Sequence, residues 1–109
     1  MDKKGTRLVK PLRGFVDKLK KLYSPTLILL FGSRSRGDAL IESDYDILVV
    51  SSAFRDTKWV KRHEEAYECW DDDAGLDLLC YSPEEFDVKR MQIGIVREAV
   101  EEGIVIYRS

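Results

Sequence analysis

The sequence is poor in residues that staple, chelate or break a chain: of 109 residues only two are cysteine, one is histidine and three are proline. Cys69 and Cys80 lack CxxC spacing and fall in an expected helix and strand, so they read as buried free thiols rather than a disulfide. The single histidine, His63, has no companions at metal-ligand spacing and reads as a packing or surface residue. No apolar run approaches the roughly 18 residues of a membrane span, and Met1-Asp2-Lys3-Lys4 leads into polar sequence without an apolar signal core. A soluble, cytoplasmic protein without membrane association is expected. An excess of positive charge is also missing. Lys plus Arg number 18 against 20 Asp plus Glu, a formal net charge of −2, which does not suit a protein held to nucleic-acid phosphates. Direct nucleic-acid binding is therefore not expected.

What the chain does have is charge of both signs around enough apolar material for one core, with 35% charged and 44% hydrophobic residues. Domains usually run to about 100–200 residues, so residues 1–109 are expected to form a single domain. The charge is unevenly placed. Residues 1–22 carry eight basic and two acidic groups, and the remainder ten basic and eighteen acidic. A basic first helix on an acidic body is either a solvated face or a surface for an acidic partner.

Leu12, Phe15, Val16, Leu19, Leu22 and Tyr23 recur at three- and four-residue steps and predict an amphipathic helix over 9–23. Ser24-Pro25 ends it, because the residue before proline is pushed out of the helical region. Thr26 to Phe31 is a continuous apolar run of strand length, and Tyr45 to Val50 is another, rich in β-branched residues. A loop or short helix joins them. Trp59, His63, Ala66, Tyr67 and Trp70 predict one face of a helix over 57–70. The acidic run Asp71-Asp72-Asp73 reads as a turn, and Leu76 to Tyr81 as a third strand. Ser82, Pro83 and Glu85 form a capping-box start for the next helix. A last helix over 93–102 stops at Gly103, and Ile104 to Tyr107 makes a short tail strand. The order αβαβαβα predicts an α/β domain built on one small mixed central sheet.

The chemistry-bearing stretch runs from Phe31-Gly32-Ser33-Arg34-Ser35-Arg36-Gly37-Asp38 to Ser43-Asp44-Tyr45-Asp46. A glycine and a serine directly after a buried strand leave the backbone open to an anion, with N–H and hydroxyl donors for phosphate oxygens. It is not a Walker A loop, since Asp38 and Ala39 stand where Lys and Ser/Thr are required. Asp44 and Asp46 open the second strand two residues apart, which points both carboxylates to one face. Two anions so close ask for a counter-charge, and Mg²⁺ held by carboxylates together with substrate phosphates supplies it. An EF-hand is excluded by Leu48 and Val49. Asp77 lies inside the apolar strand Leu76-Asp77-Leu78-Leu79, where a buried carboxylate needs a metal, a cation or a hydrogen-bond network. If the second and third strands pair, the three aspartates can converge on two metal ions for in-line phosphoryl or nucleotidyl transfer. Arg36 is the favoured phosphate contact; Arg34 reads as solvated surface or as a pairing partner of Asp38 and Glu42.

Gly32-Ser33, a ten-residue gap holding Arg36-Gly37, then Asp44-x-Asp46 resembles the signature of the DNA polymerase beta-type nucleotidyltransferases. The likeness is to the minimal members, the MntA antitoxin family paired with HEPN toxins. It covers nearly the whole chain, including the Asp77 strand and the Ser82-Pro83-Glu84-Glu85-Phe86 and Glu102-Gly103-Ile104-Val105 segments. Ser35 departs from the pattern, which often has alanine there. The resemblance implies a polymerase beta-like fold and ATP held at Gly32 and Ser33, with Arg36 a further phosphate contact. It also implies Mg²⁺, as two ions, bound by Asp44, Asp46 and Asp77, with Asp77 also activating an acceptor hydroxyl. The implied reaction is transfer of AMP to a tyrosine of a HEPN toxin, which silences it, within a homo- or hetero-oligomer. Two alternatives stand beside it: an antitoxin that neutralises by binding alone, and a nucleotidyltransferase subunit acting on an RNA end or small molecule presented by another chain.

Overall fold

The computed structural model describes residues 10–36 and 44–109, apart from the side chains of Ser33 and Arg36. Helix α1 (Lys10–Tyr23) turns Leu12, Phe15, Val16 and Leu19 into the core. It stops at Ser24, whose φ of 46° lies in the left-handed region and whose N–H still reaches the Lys20 carbonyl at 3.2 Å. Leu22, expected on the buried stripe, is exposed, because the apolar stripe continues through Leu19 to Tyr23 and leaves Leu22 on its flank. Strand β1 (Leu27–Phe31) follows, then a short helix α2 (Ser33–Arg36) and strand β2 (Tyr45–Val50). A 3-10 turn over Ser52–Asp56 leads to helix α3 (Trp59–Tyr67), strand β3 (Leu76–Tyr81), helices α4 (Pro83–Lys89) and α5 (Ile95–Glu102), and strand β4 (Ile104–Arg108).

The four strands form one mixed sheet in the order β3-β2-β1-β4. Strand β1 is antiparallel to both β2 and β4, and β2 is parallel to β3. Alternation along the strands splits the core into two layers. Ile28, Leu30, Ile47, Val49 and Cys80 face α1 and α3, joined by Phe54 and Ala66. Leu29, Phe31, Leu48, Val50 and Tyr81 face α4 and α5, joined by Phe86, Val96 and Ala99. The expected α/β architecture with one small mixed sheet is the one found. Cys69 and Cys80 are free and buried, and burial pushes the Cys80 thiol up to about 12.

Helix α3 differs from its expected form. It ends at Tyr67 rather than 70, Trp59 and Tyr67 are exposed, and its buried residues are Arg62 and Ala66. The aliphatic stem and plane of arginine explain this, because they pack like an apolar side chain while the fork finds acceptors. The Arg62 guanidinium donates to the Thr57 carbonyl at 2.8 Å, to the Cys80 carbonyl at 3.2 Å and to Glu85 at 2.6 and 3.1 Å. Beside it, the His63 ring takes the Cys80 N–H at Nε2, 3.1 Å away, so its proton sits on Nδ1 facing the Trp59 carbonyl at 2.7 Å. His63 thus satisfies backbone on the outer edge of β3, as a packing residue. The acidic run 71–73 is the expected turn: the Asp72 carboxylate accepts the Ala74 N–H at 2.9 Å.

Glu85 joins two jobs. It closes the capping box of α4 by accepting the Ser82 N–H at 2.8 Å, while Ser82 Oγ accepts the Glu85 N–H at 3.3 Å. Hydrogen bonding to Arg62 holds the Glu85 carboxyl below its ordinary value of 4.5. On the surface nearby, the hydrogen bond to Arg55 holds the Glu84 carboxyl down to about 2. A carboxylate depressed by folding adds stability that is complete above its unfolded pKa and is lost as pH falls through the folded one. The melting temperature is therefore expected to be flat from neutrality to about pH 5 and to fall below it. Glu85→Gln should flatten the acid limb in a series of melts by circular dichroism. An unchanged acid limb would mean that other carboxylates set it.

Candidate active site

The sheet order brings one end of three strands together. Because β1 is antiparallel to its neighbours, its C-terminal end lies beside the N-terminal ends of β2 and β3. In register, Phe31 stands opposite Asp46 and Asp46 opposite Asp77, so these three fall along one row across the sheet, with Gly32 one residue beyond Phe31 and against the Asp46 carboxylate. Asp44 precedes β2 by one residue. The three aspartates share the parity of Leu48, Val50, Leu79 and Tyr81, which places them on the α4–α5 face.

Burial decreases along the row. Asp46 is half-buried, and Asp44 and Asp77 are exposed. The expectation that Asp77 is a buried charge is therefore corrected. Strand β3 is the sheet's edge, and its apolar neighbours, but not Asp77, are covered. Among the described residues no group of three carboxylate, histidine or cysteine side chains is gathered closely enough to form a ready-made metal cage. That spacing is compatible with Mg²⁺ chemistry, in which one or two carboxylates share the ion with water and substrate phosphates.

Two glycines shape the site. Gly32 has φ of 74°, in the left-handed region, and a Cβ there would collide with the Asp46 carboxylate. Gly75 would likewise collide with the Asp44 carboxylate, and its carbonyl accepts the Tyr45 N–H at 2.9 Å. Each aspartate is thus seated against bare backbone. The α2 turn is knit from within, since Ser35 donates to the Gly32 carbonyl from both N–H (3.1 Å) and Oγ (2.7 Å). Ser35, where the resembled family often has alanine, therefore reinforces the turn. The Ser33 and Arg36 side chains, Gly37, Asp38, Glu42 and Ser43 lie outside the described residues.

Gly32→Ala is expected to cost about 1–2 kcal/mol from the left-handed backbone alone. It should lower catalysis more, because pushing Asp46 aside by about 1 Å is enough for a roughly 10²-fold loss. Melts and turnover measured on the same preparation check this, and a fully active Gly32→Ala would show that the close seat of Asp46 is dispensable.

A cavity of about 180 Å³ opens beside this row, lined by Phe31, Gly32 and Asp46 and, from α5, by Ile95, Glu98, Ala99 and Glu102. Glu98 and Glu102 as site walls were missed in the sequence, although residues 95, 98, 99 and 102 fall on one helical face at the i, i+3, i+4, i+7 spacing. Arg34 has a partner the sequence did not suggest: its guanidinium lies over the Tyr45 ring, 4.0 Å from the centroid; Asp38 and Glu42, its expected pairing partners, lie outside the described residues.

A glycine turn at the end of β1 thus lies against Asp46 on β2, with Asp44 just before that strand and Asp77 on its parallel neighbour. The nucleotidyltransferase domain model matches residues 12–107 of this chain, and the chain belongs to that family. It is a nucleotidyltransferase. A provisionally named protein adenylyltransferase of Methanocaldococcus jannaschii is 32% identical over 106 residues, covering 90% of this chain and 96% of that one. A crystal structure of a provisionally assigned nucleotidyltransferase from Sulfolobus solfataricus superposes with a TM-score of 0.65 at 20% identity, over 89% of this chain and 77% of that one. A toxin-antitoxin crystal structure with AMP-PNP gives a TM-score of 0.53 at 24% identity, over 87% of this chain and 72% of that one. At these identities the two structures are likenesses of fold. Among the described residues no helix is long and apolar enough to cross a membrane.

Proposed function

We propose that this chain transfers AMP from ATP to a tyrosine of a cognate HEPN toxin and so acts as its antitoxin, the whole of residues 1–109 working as one minimal nucleotidyltransferase domain in the cytoplasm. The observation that carries the reading is the pairing of Asp46 with Asp77 across β2 and β3, with Gly32 at the end of β1 against Asp46 and Asp44 just before β2. The relative named for protein adenylylation and the toxin-antitoxin fold likeness support the choice of acceptor.

Gly32 and Ser33, with Arg36, are the proposed triphosphate contacts. The left-handed Gly32 lets a phosphate approach the backbone closely. Asp44, Asp46 and Asp77 would hold Mg²⁺, whose chemistry when bound is to neutralise the triphosphate and orient it for in-line displacement. The acceptor phenol oxygen forms a bond to the α-phosphorus, the bond from that phosphorus to the β-phosphate bridging oxygen breaks, and diphosphate leaves. Asp77 is the proposed acceptor of the phenol proton, a reading supported by its exposure on the edge strand. Exposure of Asp44 and Asp77 leaves the acceptor side open, which suits a tyrosine presented on a macromolecule.

The test is incubation with labelled ATP, Mg²⁺ and a co-expressed helical partner, followed by mass spectrometry for AMP on tyrosine. Label on a tyrosine of the partner, absent with Asp44→Ala/Asp46→Ala, is the expected result. Protection of cells by that double variant, with no label on any partner, would instead mean neutralisation by binding alone.

A further inference from the structure

We infer that Arg34 is a positioning residue for the nucleotide, clamping the α2 turn to the strand that carries the aspartates. The inference rests on the ATP-binding reading above and goes beyond it by assigning a role to a residue that itself does not touch the substrate. The Arg34 guanidinium lies 4.0 Å from the Tyr45 ring centroid, well inside the roughly 6 Å range of a cation–π contact. That ring is fixed. Tyr45 is 8% exposed, meets Trp70 edge-on at 5.3 Å, and Trp70 in turn meets Phe15 of α1 at 5.3 Å. Trp70 is anchored further by its indole N–H, which donates to the Ala74 carbonyl at 2.8 Å.

Tyr45 sits between Asp44 and Asp46 and faces the opposite side of the sheet, in the layer with α1. Arg34 therefore reaches over the end of the sheet and grips β2 from behind, leaving the front to Gly32 and the carboxylates. Gly32 is joined to Arg34 through one residue, and the Ser35 bonds to its carbonyl make the turn a unit. Holding Arg34 on Tyr45 thus sets the turn at a fixed place relative to Asp44 and Asp46. A triphosphate bridging the two finds its donors and carboxylates already spaced, which strengthens binding by removing an ordering cost. A planar guanidinium suits this stacking better than an ammonium does.

Arg34→Gln tests the clamp without altering the core. Mg·ATP binding by calorimetry is expected to weaken about tenfold, and in the nucleotide-free protein the amides of Ser33 to Arg36 should exchange several-fold faster, roughly as a loosened local unit does. The melting temperature should move by no more than about 5 °C. Tyr45→Phe, which keeps the ring, should match wild type in both readouts. Weaker binding with unchanged exchange in the free protein would mean that Arg34 touches the nucleotide directly, and would overturn the inference. Unchanged affinity overturns it too. A wild-type chain that binds no Mg·ATP defeats the ATP reading instead, and amide exchange then decides alone whether the clamp holds the turn.

Discussion

Replacing Asp46 by asparagine is expected to lower AMP transfer by about 10³-fold or more while leaving the fold in place, an effect on the scale of removing one preorganised electrostatic group from a transition state. The amide is nearly the same size and shape, so the seat against Gly32 and the pairing of β2 with β1 and β3 survive. What disappears is the negative charge at the centre of the row, flanked by Phe31 on one side and Asp77 on the other. Asp46 is also the most buried of the three aspartates. A half-buried carboxylate feels its counter-charges with less screening by water than an exposed one, which makes its loss the most costly of the three. Asp77→Asn separates the proposed roles: transfer should be abolished with some ATP binding retained, because the proposal gives the exposed Asp77 the acceptor proton. Single-turnover transfer alongside calorimetric ATP binding measures both variants. An active Asp46→Asn with normal circular dichroism would remove the aspartate row from the mechanism.

The largest expected effect on stability lies away from the site. Arg62→Ala should destabilise by about 3 kcal/mol, since it orphans the Cys80 carbonyl and removes the buried side chain whose guanidinium lies by the Trp59 and Phe54 rings. For a chain of this size that corresponds to a fall of roughly 15 °C in melting temperature. Arg62 is 6% exposed at its side chain whereas Glu85 is 43% exposed, so a Glu85 left alone can hydrate and adds little to the cost. Arg62→Lys should recover only a small part, because an ammonium cannot serve the Thr57 and Cys80 carbonyls and both Glu85 oxygens as the fork does. Arg62→Met should recover the packing without the hydrogen bonds and fall between. Thermal melts of the three variants order these contributions. Equal melting temperatures for wild type and Arg62→Ala would show that neighbouring groups rearrange to cover the loss.

These two sites differ in how far they can be read from residue order. Asp44 and Asp46 are legible because a two-residue spacing has one meaning at the start of a strand, and the bounds of β2 and β3 follow from apolar runs closed by turn residues. The capping box at Ser82 is equally local. Arg62 is hidden for the opposite reason: it lies in the polar run Lys61-Arg62-His63-Glu64-Glu65, and only the arrival of Glu85 and the edge of β3 turns it inward. The exposure of Asp77 depends on β3 being an outer strand, a fact about sheet order that no short window contains. Arg34 meets Tyr45 across a connection of ten residues, so its partner cannot be read from spacing. The seat of Asp46 against Gly32 has the same origin, because it needs β1 and β2 paired in register.

The parallel pairing of β2 with β3 also governs when the site comes into being. Strand β1 meets β2 through a short connection, whereas β3 reaches β2 only after the crossover through α3, at a sequence separation of 31 residues between Asp46 and Asp77. Contacts that close longer loops generally form later and cost more chain entropy before they are rewarded. A chain emerging from the ribosome can assemble the glycine turn beside Asp46 well before residue 77 is available. The proposed reaction, which draws on both Asp46 and Asp77, is then withheld until the crossover has closed and set β3 beside β2.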